Sequence, residues 1–102
     1  MTREVRNRPE IAQDLLEAAQ WYESQSQGLG VALVQAMDDV VRLMVNFPEM
    51  YPVASGSIRR AVLSTYPYNL YYKIGPESVT LLALLHQSRA PAWIARRLKA
   101  RI

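Results

Sequence analysis

The sequence predicts an α+β fold, in which an N-terminal strand and an antiparallel helical hairpin pack on a small, mostly antiparallel sheet in the order β-α-α-β-β-β-α. Two observations predict it. Up to about residue 46, apolar residues recur at three- and four-residue steps, the period of amphipathic helices. After Ser57, short runs of β-forming residues alternate with turns that contain proline or glycine. Helices followed by strands are typical of α+β proteins, and 102 residues suit one domain spanning residues 1–102.

The N-terminal half predicts one strand and two helices. The polar run REVRNR, residues 3–8, is predicted as a short edge strand. Pro9 suits the first turn of a helix, because the N–H that it lacks would have no partner there. This helix should end near Gly28 and Gly30, and a second helix is predicted from about Val31 to Asn46. The short connection between them predicts an antiparallel hairpin.

The C-terminal half predicts three strands and a final helix. The first of these strands covers about residues 57–65, and Pro67 ends it because proline cannot donate a hydrogen bond to a strand ladder. The next covers residues 69–74. The third covers residues 79–86 and is almost continuously apolar, as expected for a central strand covered on both faces. Pro91 marks the start of the last helix.

Composition excludes several classes of protein. Half of the residues are hydrophobic, which argues against disorder, and cysteine is absent, which excludes disulfides and thiolate metal sites. A single histidine leaves almost no means of binding a transition metal, and no phosphate-binding glycine loop occurs. The longest apolar window is too short for a bilayer, and the first ten residues lack the apolar core of a signal peptide. We therefore expect a soluble cytoplasmic protein with no cofactor, metal or membrane contact.

Charge is distributed unevenly along the chain. Residues 1–85 carry 7 Lys and Arg against 9 Asp and Glu, whereas residues 86–102 carry 5 basic residues and no acid. The basic residues of this last segment are Arg89, Arg96, Arg97, Lys99 and Arg101. A terminal block of one sign indicates a partner of the opposite sign, either nucleic acid or an acidic protein surface. The alternative is an ordinary solvated helix face with cations at its C-terminal end.

A second cationic set is formed by Arg59, Arg60, His86 and Arg89. If strand 57–65 lay beside strand 79–86, these groups could clamp a phosphate and supply general acid–base catalysis, as in RNA cleavage. The alternative is that His86 makes an ordinary backbone hydrogen bond at a strand end. The arginines would then pair with helix acids such as Asp38 or Asp39.

Four segments carry a resemblance to a known family: RPEIAQDLLEAAQWYESQSQGLG, FPEMYP, IRRAVLSTYPYNLYYKI and LLALLHQSRAPAWIARRL. Together they cover nearly the whole chain, and the combination of Arg-Arg, Tyr-Pro-Tyr and His-x-x-Arg-x-Pro at these intervals is the most specific feature. With them the chain resembles the ParE branch of the ParE/RelE toxin superfamily, small toxins of bacterial type II toxin–antitoxin (plasmid stabilisation) systems.

The resemblance implies a toxin that stops growth by binding DNA gyrase and is neutralised by a cognate antitoxin. RelE-like members instead cleave messenger RNA on the ribosome, and the catalytic set would then be Arg60, His86 and Arg89. Few basic residues lie on the middle strands, and Tyr72 is the last tyrosine, so binding without catalysis is the preferred interpretation. A non-toxic interaction protein is a third hypothesis.

Two sets of contact residues follow from this interpretation. For the target we expect a surface formed by Arg59, Arg60, Arg89, Trp93, Arg96, Arg97 and Arg101, with the first three meeting at one edge of the sheet. For the antitoxin, whose disordered segment would fold on binding, we expect Trp21, Tyr22, Met37 and Met44 to be left partly open. The alternative is that these four residues belong to the core.

Overall fold

The computed structural model describes residues 3–102 and confirms the α+β class. Its elements are, in order, β1 (Glu4–Asn7), α1 (Glu10–Gln25), α2 (Leu29–Asn46), β2 (Val53–Ser55), β3 (Ile58–Val62), β4 (Tyr68–Ile74), β5 (Ser78–His86) and α3 (Pro91–Lys99). The predicted order is present, with β2 in addition. That strand was missed because three exposed residues directly after Pro52 give no alternating pattern.

The five strands form one mixed sheet in the order β1-β5-β4-β3-β2. Strand β1 pairs with β5 in parallel, and the other neighbours are antiparallel. The expectation that strand 57–65 lies beside strand 79–86 is wrong, because β4 lies between β3 and β5. Short turns join β3 to β4 and β4 to β5, so these three strands pair with their neighbours in sequence, whereas β1 pairs with the distant β5.

Each face of the sheet is covered differently. On one face, here called the hairpin face, α1 and α2 bury the larger core, which includes Leu33, Met44, Leu70, Tyr72 and Val79. On the other, here called the α3 face, the short helix α3 buries a smaller cluster of Ile58, Tyr71, Leu82, Ala83, Leu85 and Leu98. Because α3 has only nine residues, part of the α3 face around β3 and β2 stays exposed.

A bulge in β5 is the point where three distant parts of the chain meet. Tyr71 pairs with Ala83 and Tyr72 with Leu81, so Leu82 is the extra residue of the bulge. Beyond it, the Leu84 N–H donates to Asp14 Oδ2 at 3.0 Å. Arg101 donates from Nη1 to the Leu82 carbonyl at 3.2 Å, and from Nη1 and Nη2 to the Asp14 carboxylate.

The turn between α1 and α2 is held by one carboxylate. Glu23 Oε1 accepts the N–H groups of Gly28 and Gly30 at 3.1 and 2.9 Å, at the positive end of the α2 dipole. Gly28 has a φ of 92°, which favours glycine. A Cβ on Gly30 would lie 2.6 Å from the Ala19 carbonyl oxygen, so glycine allows the two helices to approach closely.

Replacing Glu23 with glutamine should lower the melting temperature at neutral pH and make it less sensitive to acid. The Gly28 and Gly30 N–H groups lower the pKa of the Glu23 carboxyl below its ordinary 4.5. The folded state therefore prefers the charged form, and this stabilisation is present above the ordinary pKa and is lost as pH falls through the lower folded-state value. Thermal melts from neutral pH to about pH 3 measure the effect.

Glu17→Gln is the matched control, because it removes the same charge from an exposed position on the same helix. The prediction fails if Glu23→Gln and Glu17→Gln melt alike at every pH.

Candidate target-binding surface

Two guanidinium groups enclose one indole ring at the start of α3. The Cζ atoms of Arg89 and Arg97 each lie 4.5 Å from the centroid of the Trp93 ring, within the range of a cation–π contact. We call this set of three residues the Trp93 stack. Both arginines are exposed, and neither has an ion pair with a carboxylate among the described residues. The stack therefore presents two oriented positive charges and an aromatic ring to solvent.

The turn after β5 places Arg89. The Gln87 N–H donates to the Pro67 carbonyl at 2.8 Å, and the Arg89 N–H donates to the His86 carbonyl at 3.2 Å. The Ser88 N–H donates to His86 Nδ1 at 3.0 Å. These three hydrogen bonds hold the backbone of the turn that carries Arg89.

The helix α3 places Arg97. Pro91 occupies its first turn, as predicted, and Leu98 is buried against the α3 face. Trp93 and Arg97 are four residues apart, so they lie on the same side of the helix. Arg96 and Arg97 are exposed in the last turn, where positive charge is favoured by the helix dipole.

His86 has the structural role that the sequence left open as an alternative. Its Nδ1 accepts the Ser88 N–H at 3.0 Å. Its ring also meets the Tyr68 ring edge-on, with centroids 5.0 Å apart. Burial raises the pKa of the Tyr68 hydroxyl, with nearby Tyr22 adding to the effect and Arg89 opposing it. Tyr68 therefore stays protonated at neutral pH.

A groove of about 260 Å³ separates the Trp93 stack from α1. Its lining includes Trp21 and Glu17 from α1, together with His86 and the three residues of the stack. Trp21 is 57% exposed, so an aromatic ring stands on each side of this groove. The Trp93 stack, Arg96 and the α1 side of the groove form the candidate target-binding surface.

Arg59 and Arg60 lie on opposite faces of the sheet, because successive residues of a strand alternate. Arg59 is on the hairpin face, where its Nη1 donates to the carbonyls of Tyr51 and Glu49 at 2.7 and 3.3 Å. Arg60 is on the α3 face, where it lines a second groove with Arg89. The expectation that Arg59, Arg60 and Arg89 meet at one edge is therefore wrong.

The proposed pairing of these arginines with Asp38 or Asp39 is also wrong. Asp38 pairs with Arg42 on the same helix at 2.7 Å, and Asp39 accepts a hydrogen bond from Gln35. The partners of Arg59 are backbone carbonyls of the loop after α2, which lies nearer to β3 than the acids do.

The three residues of the nuclease alternative are not brought together. His86 lies on the hairpin face and lines the groove beside α1, whereas Arg60 lies on the α3 face. Arg89 stands at the edge of the sheet and reaches both grooves. The sheet itself separates the imidazole from the Arg60 guanidinium, so one phosphate cannot contact both.

Arg101, expected on the target-binding surface, is buried. Its side chain is 5% exposed and that of its partner Asp14 is 9% exposed. The chain beyond α3 turns back to the sheet, and the Arg101 guanidinium satisfies the Leu82 carbonyl at the bulge of β5. The periodicity of the sequence does not reveal that Arg101 is buried, because its partner Asp14 lies 87 positions away.

The four expected antitoxin contacts divide between surface and core. Trp21 is exposed, and Tyr22 is half-buried against Tyr66, with ring centroids 4.9 Å apart. Met37 and Met44 are 8% and 0% exposed, so the expectation that they are partly open is wrong. Both methionines lie on the stripe of α2 that faces the sheet.

Sequence reasoning missed Val31 and Val34 on the outer side of the hairpin. Val31 is 74% exposed and Val34 is 42% exposed. With Ala19 and Gly30 they line a shallow, apolar surface between α1 and α2, which we call the hairpin surface. The signal was present, since two valines three residues apart interrupt the polar side of an amphipathic helix.

Among residues 3–102, no three His, Cys, Asp or Glu side chains are grouped so as to hold a metal ion. No helix in the same range is long and apolar enough to cross a membrane.

Known proteins resemble the chain in sequence pattern and in fold. A family model described as "ParE toxin of type II toxin-antitoxin system, parDE" matches residues 5–91. A solved structure described as "Chromosomal ParDE TA system from P. aeruginosa" superposes with a TM-score of 0.73 at 13% identity, covering 83% of this chain and 96% of that one. At this identity the likeness concerns the fold. A search of curated proteins found no match.

Proposed function

The chain belongs to the ParE family of type II toxin–antitoxin toxins, and on that premise we propose that it stops growth in the cytoplasm by binding DNA gyrase. We propose further that a cognate antitoxin neutralises it. The observation that supports a binding mechanism most directly is the Trp93 stack, in which two exposed guanidinium groups are held in place on one ring. Cations held in this way suit an acidic partner surface, where they orient the encounter and discriminate between partners.

The arrangement of the other residues supports binding over RNA cleavage. Cleavage would need an acid–base group and a phosphate clamp at one phosphate, within hydrogen-bond reach. His86 and Arg60 lie on opposite faces of the sheet, and His86 Nδ1 is already engaged by the Ser88 N–H. A ribosome-dependent messenger RNA endonuclease is therefore the second hypothesis.

Expression of the protein without its antitoxin distinguishes the two. We expect relaxed plasmid DNA and an induced DNA-damage response, with messenger RNA intact at the time growth stops. Messenger RNA cut at particular codons, with plasmid supercoiling unchanged, would contradict gyrase as the target.

For the antitoxin we propose contacts at the hairpin surface and, separately, at Trp21, which lines the groove beside the Trp93 stack. Exposed apolar residues on one face of a helical hairpin suit a segment that folds on binding and places apolar side chains in a groove. Val31, Val34 and Trp21 are exposed in the free chain, and their burial would provide such anchors.

Replacing Val31 with glutamate should weaken binding of the antitoxin encoded beside the gene by about tenfold or more, because a charge would be buried against apolar groups. The melting temperature of the free protein should stay nearly unchanged, since Val31 is exposed. Titration calorimetry of the purified pair measures the affinity. Leu43→Glu is the matched control, because Leu43 is an exposed apolar residue of α2 outside the hairpin surface. Equal losses in both variants would show that the hairpin surface has been wrongly assigned.

A further inference from the structure

The second groove, on the α3 face, has polar donors at its base and aliphatic walls. It has a volume of about 320 Å³ and runs between α3 and the exposed part of the sheet. Arg60, Arg89 and Gln87 are exposed residues of its lining, and Asn69 and Tyr71 are buried at its base. Pro91, Ile94 and Leu98 of α3 form one wall. We call it the Arg60 groove.

Hydrogen bonds fix the base of the Arg60 groove and leave donors free. Asn69 is 6% exposed; its Oδ1 accepts from Gln87 Nε2 at 3.3 Å, and its Nδ2 faces the Tyr71 hydroxyl at 3.5 Å. Each amide nitrogen carries two hydrogens, so Asn69 and Gln87 each keep one that these contacts do not use. The Tyr71 hydroxyl hydrogen is likewise available. The base of the groove therefore favours a ligand that accepts hydrogen bonds.

The two arginines on the rim also favour a ligand that accepts hydrogen bonds, and in particular one with negative charge. Arg60 makes no side-chain hydrogen bond or ion pair within residues 3–102, and the Arg89 guanidinium has no hydrogen bond or ion pair there besides its cation–π contact with Trp93. No Asp or Glu lines the groove in the part of the chain that the structure describes. Guanidinium groups pair with oxyanions through two parallel hydrogen bonds, which gives direction as well as attraction.

We propose that the Arg60 groove binds an acidic peptide segment of a partner protein, with a carboxylate held between Arg60 and Arg89. The aliphatic wall of Pro91, Ile94 and Leu98 then packs against the apolar neighbours of that acidic residue. This site is separate from the hairpin surface, and it shares only Arg89 with the Trp93 stack.

Nucleic acid fits the Arg60 groove less well. Sites for single strands combine a row of cations along the backbone with open aromatic faces on which bases stack. Tyr71 is the one aromatic residue in the described lining, and it is 3% exposed, so no ring face is open to a base. Two cations and an aliphatic wall suit one carboxylate beside an apolar side chain.

Titration of the isotope-labelled, purified chain with a capped peptide of alternating leucine and glutamate tests the proposal. We expect saturable shifts of the Asn69 and Gln87 side-chain amide signals in the nuclear magnetic resonance spectrum. Arg60→Gln and Arg89→Gln should each weaken binding about tenfold or more, the usual range for a lost charge-assisted hydrogen bond. Arg42→Gln removes an exposed arginine from α2 and should change the affinity by less than about twofold.

Four outcomes would overturn the proposal. A peptide with glutamine in place of glutamate that binds equally well would show that the carboxylate is not recognised. Tighter binding of oligothymidylate at the same signals would identify a nucleic-acid site. Failure of the glutamate peptide to give saturable shifts, or an equal loss in Arg42→Gln, would show that no specific site exists. Because neither gyrase nor antitoxin is used, these outcomes are independent of the proposed function.

Discussion

Replacing Asp14 with alanine should lower the free energy of unfolding by about 3–5 kcal/mol, the usual cost of removing one partner of a buried ion pair. Arg101 would keep its charge in a site where its side chain is 5% exposed. The Leu84 N–H at the bulge of β5 would lose its acceptor at the same time. Such a loss is a large fraction of the stability of a typical domain, which is about 5–15 kcal/mol. Urea denaturation followed by circular dichroism measures it.

Two further variants keep this prediction testable if Asp14→Ala does not fold. Asp14→Asn with Arg101→Met removes both charges and keeps an oxygen for the Leu84 N–H, so it should recover more than half of the loss. Asp38→Ala breaks the exposed pair with Arg42 and should cost less than about 1 kcal/mol. Similar costs for Asp14→Ala and Asp38→Ala would contradict the account.

Reversing both charges of the Trp93 stack, Arg89→Glu with Arg97→Glu, should weaken gyrase binding on the order of a hundredfold or more and abolish toxicity. Both side chains are exposed, so the fold should lose only the cation–π contacts with Trp93, about 1–2 kcal/mol. Growth after expression, and inhibition of gyrase by the purified variant, measure the effect.

A matched control distinguishes an effect of the Trp93 stack from an effect of the net charge. Arg42→Glu with Lys73→Glu makes the same change in net charge at exposed positions on α2 and β4, and it should leave toxicity intact. Arg101 has no place in such a test, because its reversal would bury two facing carboxylates beside β5 and unfold the chain. If the folded Arg89→Glu, Arg97→Glu variant is fully toxic, the Trp93 stack is not needed for toxicity.

Local pattern predicted the elements of the fold closely. The second helix was expected from Val31 and begins at Leu29, and the strand expected over residues 57–65 is Ile58–Val62. Apolar periodicity and proline positions indicate where helices and strands begin and end, and both are read from residues close together in the sequence. The short strand β2 has no such pattern, because all three of its residues are exposed.

The candidate site depended on information that local pattern lacks. Sequence included Arg89, Trp93 and Arg97 among the seven expected target-binding residues, but it did not predict that they form a stack. It misplaced Arg59 and Arg60 for two reasons. The alternation of successive strand residues, which puts them on opposite faces, was not applied, and the strand order that places β4 between β3 and β5 was not known. It also misplaced Arg101, whose partner lies 87 residues away. Long-range pairing decides which charges remain on the surface.

The central claim is that this ParE-family chain acts by binding gyrase through the Trp93 stack. The most direct measurement is DNA supercoiling by purified gyrase in the presence of the purified chain, alongside its Arg89→Glu, Arg97→Glu variant. The account predicts that the parent chain inhibits supercoiling and that the variant does not. Unimpaired supercoiling with the parent chain, together with codon-dependent cleavage of messenger RNA on programmed ribosomes, would contradict it.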